Sequence, residues 1–265
     1  MLLTIDIGNS SIKFGVFGPE ALVDKFVIPT VRDYAVEELL FDRLRVINDR
    51  FFEIDSIIAS SVVPEIDETL TNACLELLRV KPRFVNHSFD LGLRIKYTPP
   101  DSVGTDRLVT ASAAASLHGA PVIVCSFGTA TTIDVVTADN EFIGGAIAPG
   151  MKTMTESLSR STSKLPAVSI ERPSSAIGSS TESSIRSGIY YGQIGLAEGI
   201  IERFVKEIGS RPKVVATGGF AGMIGPESKM IDVVDESLML EGLRLIALRN
   251  GIYPSRIAEG RGPAF

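Results

Sequence analysis

Short apolar runs separated by small polar turns predict strands in the first part of the chain. Leu2–Ile5 and Ile12–Phe17 are two such runs, and the few polar residues between them favour a β-hairpin. Apolar positions three and four residues apart then predict a helix with Asp33 as its N-cap. Ser56–Val63 is predicted to be a buried strand, and Pro64 to begin the helix after it. Strands that alternate with helices indicate an α/β fold.

The rest of the chain continues this alternation. Its predicted elements are a helix over Asp106–His118, strands over Val122–Cys125, Thr132–Val136 and Phe142–Ala148, a helix over Thr181–Ile208, a strand over Lys213–Thr217 and a helix over Ser237–Arg249. Leu158–Ser180 is rich in Ser, Thr and Pro, which predicts a long loop. One face of the longest predicted helix carries Gly188, Gly192, Gly195 and Gly199. This spacing is typical of close packing against another helix or in a crowded core.

A strand–turn–strand pattern occurs twice along the chain. Thr4–Ile12 aligns with Val124–Thr132, and each copy has a strand, a polar residue, an apolar residue, a glycine and a hydroxyl-rich turn before the returning strand. Two copies predict two similar α/β halves whose glycine turns face each other across a cleft. We therefore expect one domain over residues 1–118 and another over residues 119–253. Residues 254–265 lack apolar periodicity and are expected to form a disordered tail.

Composition and charge exclude several classes of protein. The 265 residues include 26 Lys and Arg against 32 Asp and Glu, so the net charge of −6 lacks the positive excess of proteins that coat nucleic acid. No run of about 18 apolar residues is present, and the first residues lack a basic signal-peptide region, so neither a membrane span nor a signal peptide is expected. Cys74 and Cys125 are expected to be buried thiols in a reducing compartment. These features predict a globular cytoplasmic protein with no nucleic-acid or membrane partner.

The turn after the first strand has the residue types that a phosphate site requires. Gly8 allows close approach of the backbone, and free amides with the Ser10 and Ser11 hydroxyls can bind phosphate oxygens. Asp6 can hold a metal ion, and Lys13 on the returning strand can neutralise phosphate charge. The alternative is an ordinary hairpin in which Asp6 caps its own turn, and the local sequence leaves both interpretations open.

A second candidate site lies where an extended segment enters the predicted Asp106–His118 helix. Asp106 falls in the first helical turn, where a carboxylate is either a cap or a general base that reaches into a cleft. Arg107 beside it can pair with a substrate carboxylate through two hydrogen bonds. Local features favour neither interpretation of Asp106 over the other.

Taken together, these segments resemble the type III pantothenate kinase family, a member of the actin–Hsp70–sugar-kinase superfamily. The motifs that carry the resemblance are Asp6-Ile7-Gly8-Asn9-Ser10, Tyr97 followed by Pro100 and Gly104-Thr105-Asp106-Arg107, Gly128-Thr129-Ala130-Thr131-Thr132, the glycine-rich 144–150, Lys164-Leu165-Pro166, 181–188 and Thr217-Gly218-Gly219. They occur in order between Leu2 and about Asn250. The resemblance implies an α/β fold of two similar actin-like (ribonuclease-H-like) domains with an interdomain cleft.

The resemblance also implies an activity and a set of site residues. The family transfers phosphate from ATP to the primary hydroxyl of pantothenate, giving 4′-phosphopantothenate in the first step towards coenzyme A. The implied ATP contacts are Asp6, Ile7, Gly8, Asn9, Ser10, Ser11, Ile12, Lys13 and Thr129, with Asp6 near the magnesium ion. The implied pantothenate contacts are Tyr97, Gly104, Thr105, Asp106, Arg107 and Thr181. Asp106 is the implied catalytic base, and Thr181 is implied to reach the substrate of the neighbouring subunit in a homodimer.

Three positions depart from the family pattern. Ser10 replaces a Thr and keeps the hydroxyl, and Thr105 replaces the usual Ala. Ser126 replaces an Asp that helps to hold the monovalent cation, K⁺ or NH₄⁺, so we expect weaker cation binding. Asp134 is expected to lie too far along the hairpin to substitute for that Asp. The alternative function is therefore a catalytically impaired relative that acts as a binding or transcription-accessory protein, although the retained Asp6, Asp106, Arg107 and Thr181 favour a kinase.

Overall fold

The computed structural model describes residues 1–19, 21–31, 35–51 and 53–252. Within them the strands are β1 (Leu2–Ile7), β2 (Ser11–Phe17), β3 (Leu22–Pro29), β4 (Ser56–Ser61), β5 (Arg83–Phe84), β6 (Arg94–Ile95), β7 (Val122–Phe127), β8 (Ala130–Val136), β9 (Glu141–Pro149), β10 (Lys213–Thr217) and β11 (Val233–Val234). The α-helices are α1 (Ala35–Arg50), α2 (Pro64–Leu77), α3 (Thr105–His118), α4 (Met151–Ser161), α5 (Thr181–Ile208), α6 (Ala221–Ile224) and α7 (Leu238–Arg249). Short 3₁₀ turns cover Pro100–Ser102 and Gly225–Glu227. None of the helices in these ranges is both long and apolar enough to cross a membrane.

The chain forms two compact units. Among the described residues, the first comprises 1–93, 98–113 and 239–252, and the second comprises 94–97 and 114–238. The chain therefore passes from the first unit to the second within α3, a few residues before the boundary that the sequence predicts. The largest difference from the prediction is α7, which belongs to the first unit. Gly242 of α7 lies so close to Val109 and Ala113 of α3 that a Cβ there would be 2.7 Å from the Val109 carbonyl oxygen.

The first unit is built on a five-stranded sheet in the order β3-β2-β1-β4-β5. β1 and β2 form the predicted antiparallel hairpin, and β4 runs parallel to β1 on its other side. Its core joins side chains of the strands to those of α1 and α2, among them Ile5, Phe14, Leu40 and Leu70. Because β1 is buried along its whole length, a polar residue in it is enclosed by the fold.

The sheet of the second unit repeats that order. Its strands follow β11-β10-β7-β8-β9, with β6 added at the edge of β9, so β7 to β11 correspond to β1 to β5. This correspondence confirms the internal repeat that the sequence predicts. The register corrects one detail. Asp6 pairs with Lys13 and Ser126 pairs with Thr132, so the second turn is one residue shorter and Thr132 corresponds to Lys13, where the sequence alignment placed it on Ile12.

Within the described residues, the sequence pattern missed four strands, β3, β5, β6 and β11, and two helices, α4 and α6. The helix α4 covers the start of the predicted Leu158–Ser180 loop. The long helix α5 spans the predicted residues; its N-cap Ser180 forms a capping box with Ser183. Cys74 and Cys125 are free and buried, as predicted. The predicted N-cap Asp33 and the predicted tail over residues 254–265 lie outside the described residues.

Candidate active site

Asp6 and Lys13 form a charged pair at the end of the β1–β2 hairpin. They are register partners, and Lys13 Nζ lies 3.3 Å from Asp6 Oδ2. Asp6 is 7% exposed, whereas the Lys13 side chain is about a third exposed. The Asp6 carboxylate thus accepts from Lys13 on the facing strand, so a negative and a positive charge lie side by side where the turn begins.

The environment of Asp6 favours a cation beside it. Burial raises the pKa of the Asp6 carboxyl, Lys13 partly offsets that rise, and the negative charge of Asp106 adds to it. Asp106 is therefore within electrostatic reach of Asp6. A buried carboxylate and a half-buried one that repel each other are stabilised when a divalent cation binds, because the metal ion is then the largest local charge.

The turn between β1 and β2 is held from outside by one threonine. Thr30 Oγ1 donates to the Gly8 carbonyl oxygen at 2.6 Å, and the Thr30 amide donates to the Ser10 carbonyl oxygen at 3.2 Å. Within the turn, the Gly8 amide donates to the Ser11 carbonyl oxygen at 3.0 Å. Asn9 and Ser10 face solvent on this fixed backbone. Thr30 follows a strand that the sequence pattern did not predict, so its role could not be read from the sequence.

Asp106 lies in the first turn of α3, and contacts with its neighbours in the chain restrict the position of its carboxylate. Asp106 Oδ1 accepts from the Arg107 amide at 2.8 Å. A Cβ on Gly104 would lie 2.5 Å from the same oxygen, so a side chain at 104 would displace the Asp106 carboxylate. Burial raises the pKa of the Asp106 carboxyl, while the Arg107 amide, the Arg107 guanidinium and Lys13 lower it. Asp106 is a helix-terminal carboxylate that also shares the electrostatic field of Asp6 and Lys13.

Two hydroxyls join the start of α3 to β4. Thr105 Oγ1 lies 2.9 Å from Ser60 Oγ and 3.4 Å from the Ser61 carbonyl oxygen. Ser60 is the register partner of Asp6 on β4. Arg107 follows in α3 and is 6% exposed. The first unit thus brings together Asp6, Lys13 and the 104–107 segment that the sequence singled out, and adds Ser60, which sequence reasoning missed.

Tyr97 belongs to the second unit, where a glycine makes room for its ring. The Tyr97 and Phe142 ring centroids are 6.2 Å apart at an interplanar angle of 53°. Gly144 has φ +102°, and a Cβ there would lie 3.0 Å from the Tyr97 ring. Glycine at 144 therefore allows the positive φ of the backbone and also leaves room for the Tyr97 ring.

The turn between β7 and β8 contains Thr129 and is supported by the start of α4. The Thr129 carbonyl oxygen accepts from the Gly150 amide at 3.0 Å and from Thr153 Oγ1 at 2.6 Å. A Cβ on Gly150 would lie 2.1 Å from the Gly128 carbonyl oxygen, so a side chain at 150 would displace the turn. The glycine-rich motif that ends at Gly150 thus positions the second turn.

Ser126 occupies the place in β7 that Asp6 occupies in β1. Its register partners are Thr132 on β8 and Thr217 on β10, both neutral. Asp134 pairs with Val124, two residues further from the turn, so it is on the same face of the sheet as Ser126 but is not its direct cross-strand partner. Across the ranges that the structure describes, no group of three His, Cys, Asp or Glu side chains could hold a metal ion.

Thr181 begins α5 at the rim of a groove. The groove has a volume of about 1080 Å³ and lies between α4, the 162–180 segment and α5. Its apolar lining includes Met154, Leu158, Leu165, Ile185 and Ile189. Thr181 is exposed there and follows directly on the capping residue Ser180. Tyr97, Ser126, Thr129 and Thr181 therefore all lie in the second unit.

Comparison with known proteins identifies the family. The sequence profile of the family described as "Type III pantothenate kinase" matches residues 2–203. The chain belongs to the type III pantothenate kinase family. It is thus a kinase, and the resemblance carried by the motifs is confirmed.

Individual relatives extend the type III pantothenate kinase match to almost the whole chain. A type III pantothenate kinase of Koribacter versatilis is 42% identical over 263 residues, covering 94% of this chain and 96% of the relative. The one from Halalkalibacterium halodurans is 41% identical over 256 residues, covering 94% and 100%.

Solved structures with low sequence identity share the fold. A Campylobacter jejuni protein assigned to the Baf family of transcriptional activators aligns with a TM-score of 0.58 at 20% identity, covering 94% of this chain and 98% of that one. A Sinorhizobium meliloti protein assigned as a 2-dehydro-3-deoxygalactonokinase aligns with a TM-score of 0.60 at 14% identity over all of both chains. The predicted α/β fold of the actin-like ATPase and sugar-kinase type is thereby confirmed.

Proposed function

We propose that this kinase transfers the γ-phosphoryl group of ATP to the primary hydroxyl of pantothenate, with Asp106 as the base. The observation that carries the proposal is the juxtaposition, in one unit, of the Asp6–Lys13 pair and the Asp106 carboxylate at the start of α3. Phosphoryl transfer depends on positioning and on neutralising charge, and this arrangement supplies a cation-binding carboxylate, a lysine and a base. Membership of the pantothenate kinase family supports the choice of acceptor.

In the proposed reaction, Asp106 accepts the hydroxyl proton as the hydroxyl oxygen attacks the γ-phosphorus. The bond between the γ-phosphorus and the β,γ-bridging oxygen breaks, and ADP leaves with that electron pair. Lys13 neutralises negative charge on the phosphates, and we assign the exposed part of the turn, Asn9 and Ser10 with the Ser11 hydroxyl, to the phosphate oxygens. In the second unit we assign Thr129 to ATP binding, on the turn that Gly150 and Thr153 hold.

The residues present fit a magnesium ion that arrives with ATP. Mg²⁺ is commonly held by one or two carboxylates together with substrate phosphates, and Asp6 offers a buried carboxylate whose raised pKa a cation would lower. Bound Mg²⁺ would neutralise charge on the phosphates. Asp6 would hold it, and Lys13 beside Asp6 would contribute a second, fixed positive charge.

The surroundings of Ser126 fit a weakly bound monovalent cation. Neutral oxygens can coordinate K⁺, but without a carboxylate the site attracts the ion less strongly. Ser126 and its neighbours Thr132 and Thr217 offer only neutral side chains. We propose that activity requires more K⁺ or NH₄⁺ than an aspartate at 126 would demand.

Ser126→Asp is therefore expected to lower the K⁺ or NH₄⁺ concentration that gives half-maximal activity, by about tenfold or more, because one added charge attracts the cation. Ser126→Ala is the matched control and is expected to raise that concentration. Titration of activity with each cation, at constant ionic strength, measures both. Identical titrations for both variants and the unaltered protein would show that the cation binds elsewhere.

Pantothenate carries a carboxylate and an extended polar chain. The candidate residues outside the phosphate turns have side chains that can bind these groups. We assign Arg107 to the substrate carboxylate, because a guanidinium binds carboxylates through two hydrogen bonds. Gly104 and Thr105 shape the same segment, and Tyr97 offers an aromatic surface in the second unit. Thr181 is assigned to the substrate of a neighbouring subunit.

A homodimer through α5 is the second part of this proposal. Gly188, Gly192 and Gly195 lie on an exposed face of α5, where a Cβ would meet nothing within 4 Å. Each glycine costs a helix about 1 kcal/mol relative to alanine. A single chain has space for side chains at these positions and gains nothing from glycine there. Close packing of a second copy against this face would explain why the helix has glycines.

Gly192→Leu is expected to convert the dimer into a monomer and to raise the KM for pantothenate, because Thr181 then no longer reaches a neighbouring subunit. Thr181→Ala is expected to raise the same KM by roughly 3- to 10-fold while the dimer persists. Sedimentation velocity and steady-state kinetics on both variants distinguish the two effects. An unaltered protein that sediments as a monomer would overturn the proposal about Thr181.

We also propose a cytoplasmic location, since the buried free thiols Cys74 and Cys125 are typical of proteins in a reducing compartment.

Product analysis tests the function. The protein is incubated with ATP, Mg²⁺ and pantothenate, and the product is identified by mass spectrometry. We expect 4′-phosphopantothenate, and none when the acceptor is an analogue that lacks the primary hydroxyl. The alternative, a relative that binds without catalysis, rests on Ser126 and would be favoured if no product forms at saturating cation.

A further inference from the structure

Ser60 is a buried polar residue beside the strand that carries Asp6, and it contacts the helix that carries Asp106. It lies near the end of β4, is 0% exposed and is the register partner of Asp6 on β1. The alignment of β4 with β1 continues past the strands, because the Val62 amide donates to the Ile7 carbonyl oxygen at 3.0 Å. β4 is therefore fixed directly beside the strand that carries Asp6.

The hydroxyl of Ser60 contacts the first residue of α3. Ser60 Oγ and Thr105 Oγ1 are 2.9 Å apart, and Thr105 Oγ1 is 3.4 Å from the Ser61 carbonyl oxygen. Both contacts are satisfied when Ser60 donates to Thr105 and Thr105 donates to the Ser61 carbonyl. A buried hydroxyl that loses its partner is penalised, so this arrangement fixes the start of α3 on β4.

Asp106 follows Thr105 directly, and its carboxylate has little freedom. Its Oδ1 is held by the Arg107 amide at 2.8 Å and is close to Gly104. The place of the carboxylate therefore depends on the place of the first turn of α3. A catalytic group displaced by about 1 Å can lose 100-fold in rate.

We infer that Ser60 and Thr105 are positioning residues, whose hydrogen bond fixes the Asp106 carboxylate relative to Asp6. This inference rests on the proposed function, in which Asp106 is the base. It assigns Ser60 a role in the reaction without contact to substrate, and it assigns the Thr105 hydroxyl to β4 and not to pantothenate.

Steady-state kinetics on Thr105→Val, Thr105→Ser and Ser60→Ala test the inference. Valine keeps the branched shape and removes the hydroxyl, whereas serine keeps the hydroxyl. We expect Thr105→Val and Ser60→Ala each to lower kcat by roughly 10- to 100-fold with little change in the KM for ATP. Thr105→Ser keeps the hydroxyl and is expected to have nearly the kcat of the unaltered protein. The double variant is expected to lose no more than Thr105→Val alone, because both changes remove one interaction.

Thr71→Val is the matched control. Thr71 Oγ1 donates to the Asp67 carbonyl oxygen at 2.7 Å within α2, so this variant also loses a half-buried threonine hydrogen bond in the first unit. Its kcat is expected to stay unchanged. Thermal unfolding of all variants shows whether each is folded, and Thr105→Ser with Ser60→Ala still tests the inference if Thr105→Val does not fold.

Two results would overturn the inference. Losses of kcat that multiply in the double variant would show that Ser60 and Thr105 act independently. A rise in the KM for pantothenate at constant kcat, confined to the Thr105 variants, would make Thr105 a substrate contact. Failure of the proposed function is distinguishable, because the unaltered protein would then form no phosphopantothenate at all.

Discussion

Asp106→Asn is expected to lower kcat by about 10²- to 10⁴-fold, the usual contribution of a general base. Asparagine has nearly the same shape, and its side-chain oxygen can still accept from the Arg107 amide. It cannot take the proton of the substrate hydroxyl. The change therefore removes the chemistry and leaves the hydrogen bond at the start of α3 in place. Steady-state measurement of pantothenate phosphorylation at saturating ATP gives the loss directly.

The same variant is expected to be at least as stable as the unaltered protein. Burial raises the pKa of the Asp106 carboxyl, so the folded state binds the proton more tightly than the unfolded state does. Ionisation therefore lowers the free energy of unfolding as the pH rises from the ordinary pKa through the raised one, and that loss persists at neutral pH. A neutral asparagine has no charge to bury, so the variant avoids this loss of unfolding free energy. Thermal unfolding at pH 7 tests this, and turnover within a few-fold of the unaltered protein would remove Asp106 from the role of base.

Asp6→Asn is expected to lower kcat by about 10²- to 10³-fold, because it removes the carboxylate proposed for Mg²⁺ and leaves the Lys13 charge without its partner. Added Mg²⁺ is expected to restore little of the activity, since an amide is a weak ligand for this ion. Kinetics over a range of Mg²⁺ concentrations measure both effects.

Asp24→Asn is the matched control for Asp6→Asn. Asp24 lies on β3 in the same unit and also forms an ion pair, with Arg50 Nη1 2.6 Å from Asp24 Oδ2. That pair is more exposed, and exposed pairs contribute little to stability. We expect Asp24→Asn to leave kcat unchanged. Equal losses in the two variants would show that the effect of Asp6→Asn comes from a disturbed sheet.

The repeat of the fold could be predicted from the sequence because the two hairpins have the same chemistry. A buried strand that ends in a polar residue, an apolar residue and a glycine occurs at Asp6 and again at Ser126. The structure gives both strands the central place in sheets of the same order. The one-residue difference between the turns is set by cross-strand hydrogen bonds, which the residue pattern does not determine.

Features that depend on tertiary packing could not be predicted in the same way. The helix α7 has an ordinary apolar pattern; its close contact with α3 through Gly242 and the position of Arg244 over the Phe17 ring join it to the first unit. The helix α4 is a different case: Met151, Met154 and Leu158 are spaced as on one face of a helix, but the Ser- and Thr-rich composition around them favoured a loop.

The residues of the candidate site also fall into those that the sequence pattern identifies and those that only the tertiary structure identifies. Asp6, Lys13 and the segment from Gly104 to Arg107 could be identified because their residue types suit phosphate and proton chemistry. The residues that hold them could not. Ser60 and Thr30 are single hydroxyls in segments without a motif, and their roles come from register and hydrogen bonds.

The most direct test of the central claim is a coupled assay of pantothenate phosphorylation with ATP and Mg²⁺, run with and without K⁺ or NH₄⁺. We predict turnover that increases with the monovalent cation, is lost in Asp106→Asn and persists in Asp24→Asn. Zero turnover at high ATP and high cation, from protein shown to be folded and dimeric, would contradict the claim and favour a binding role.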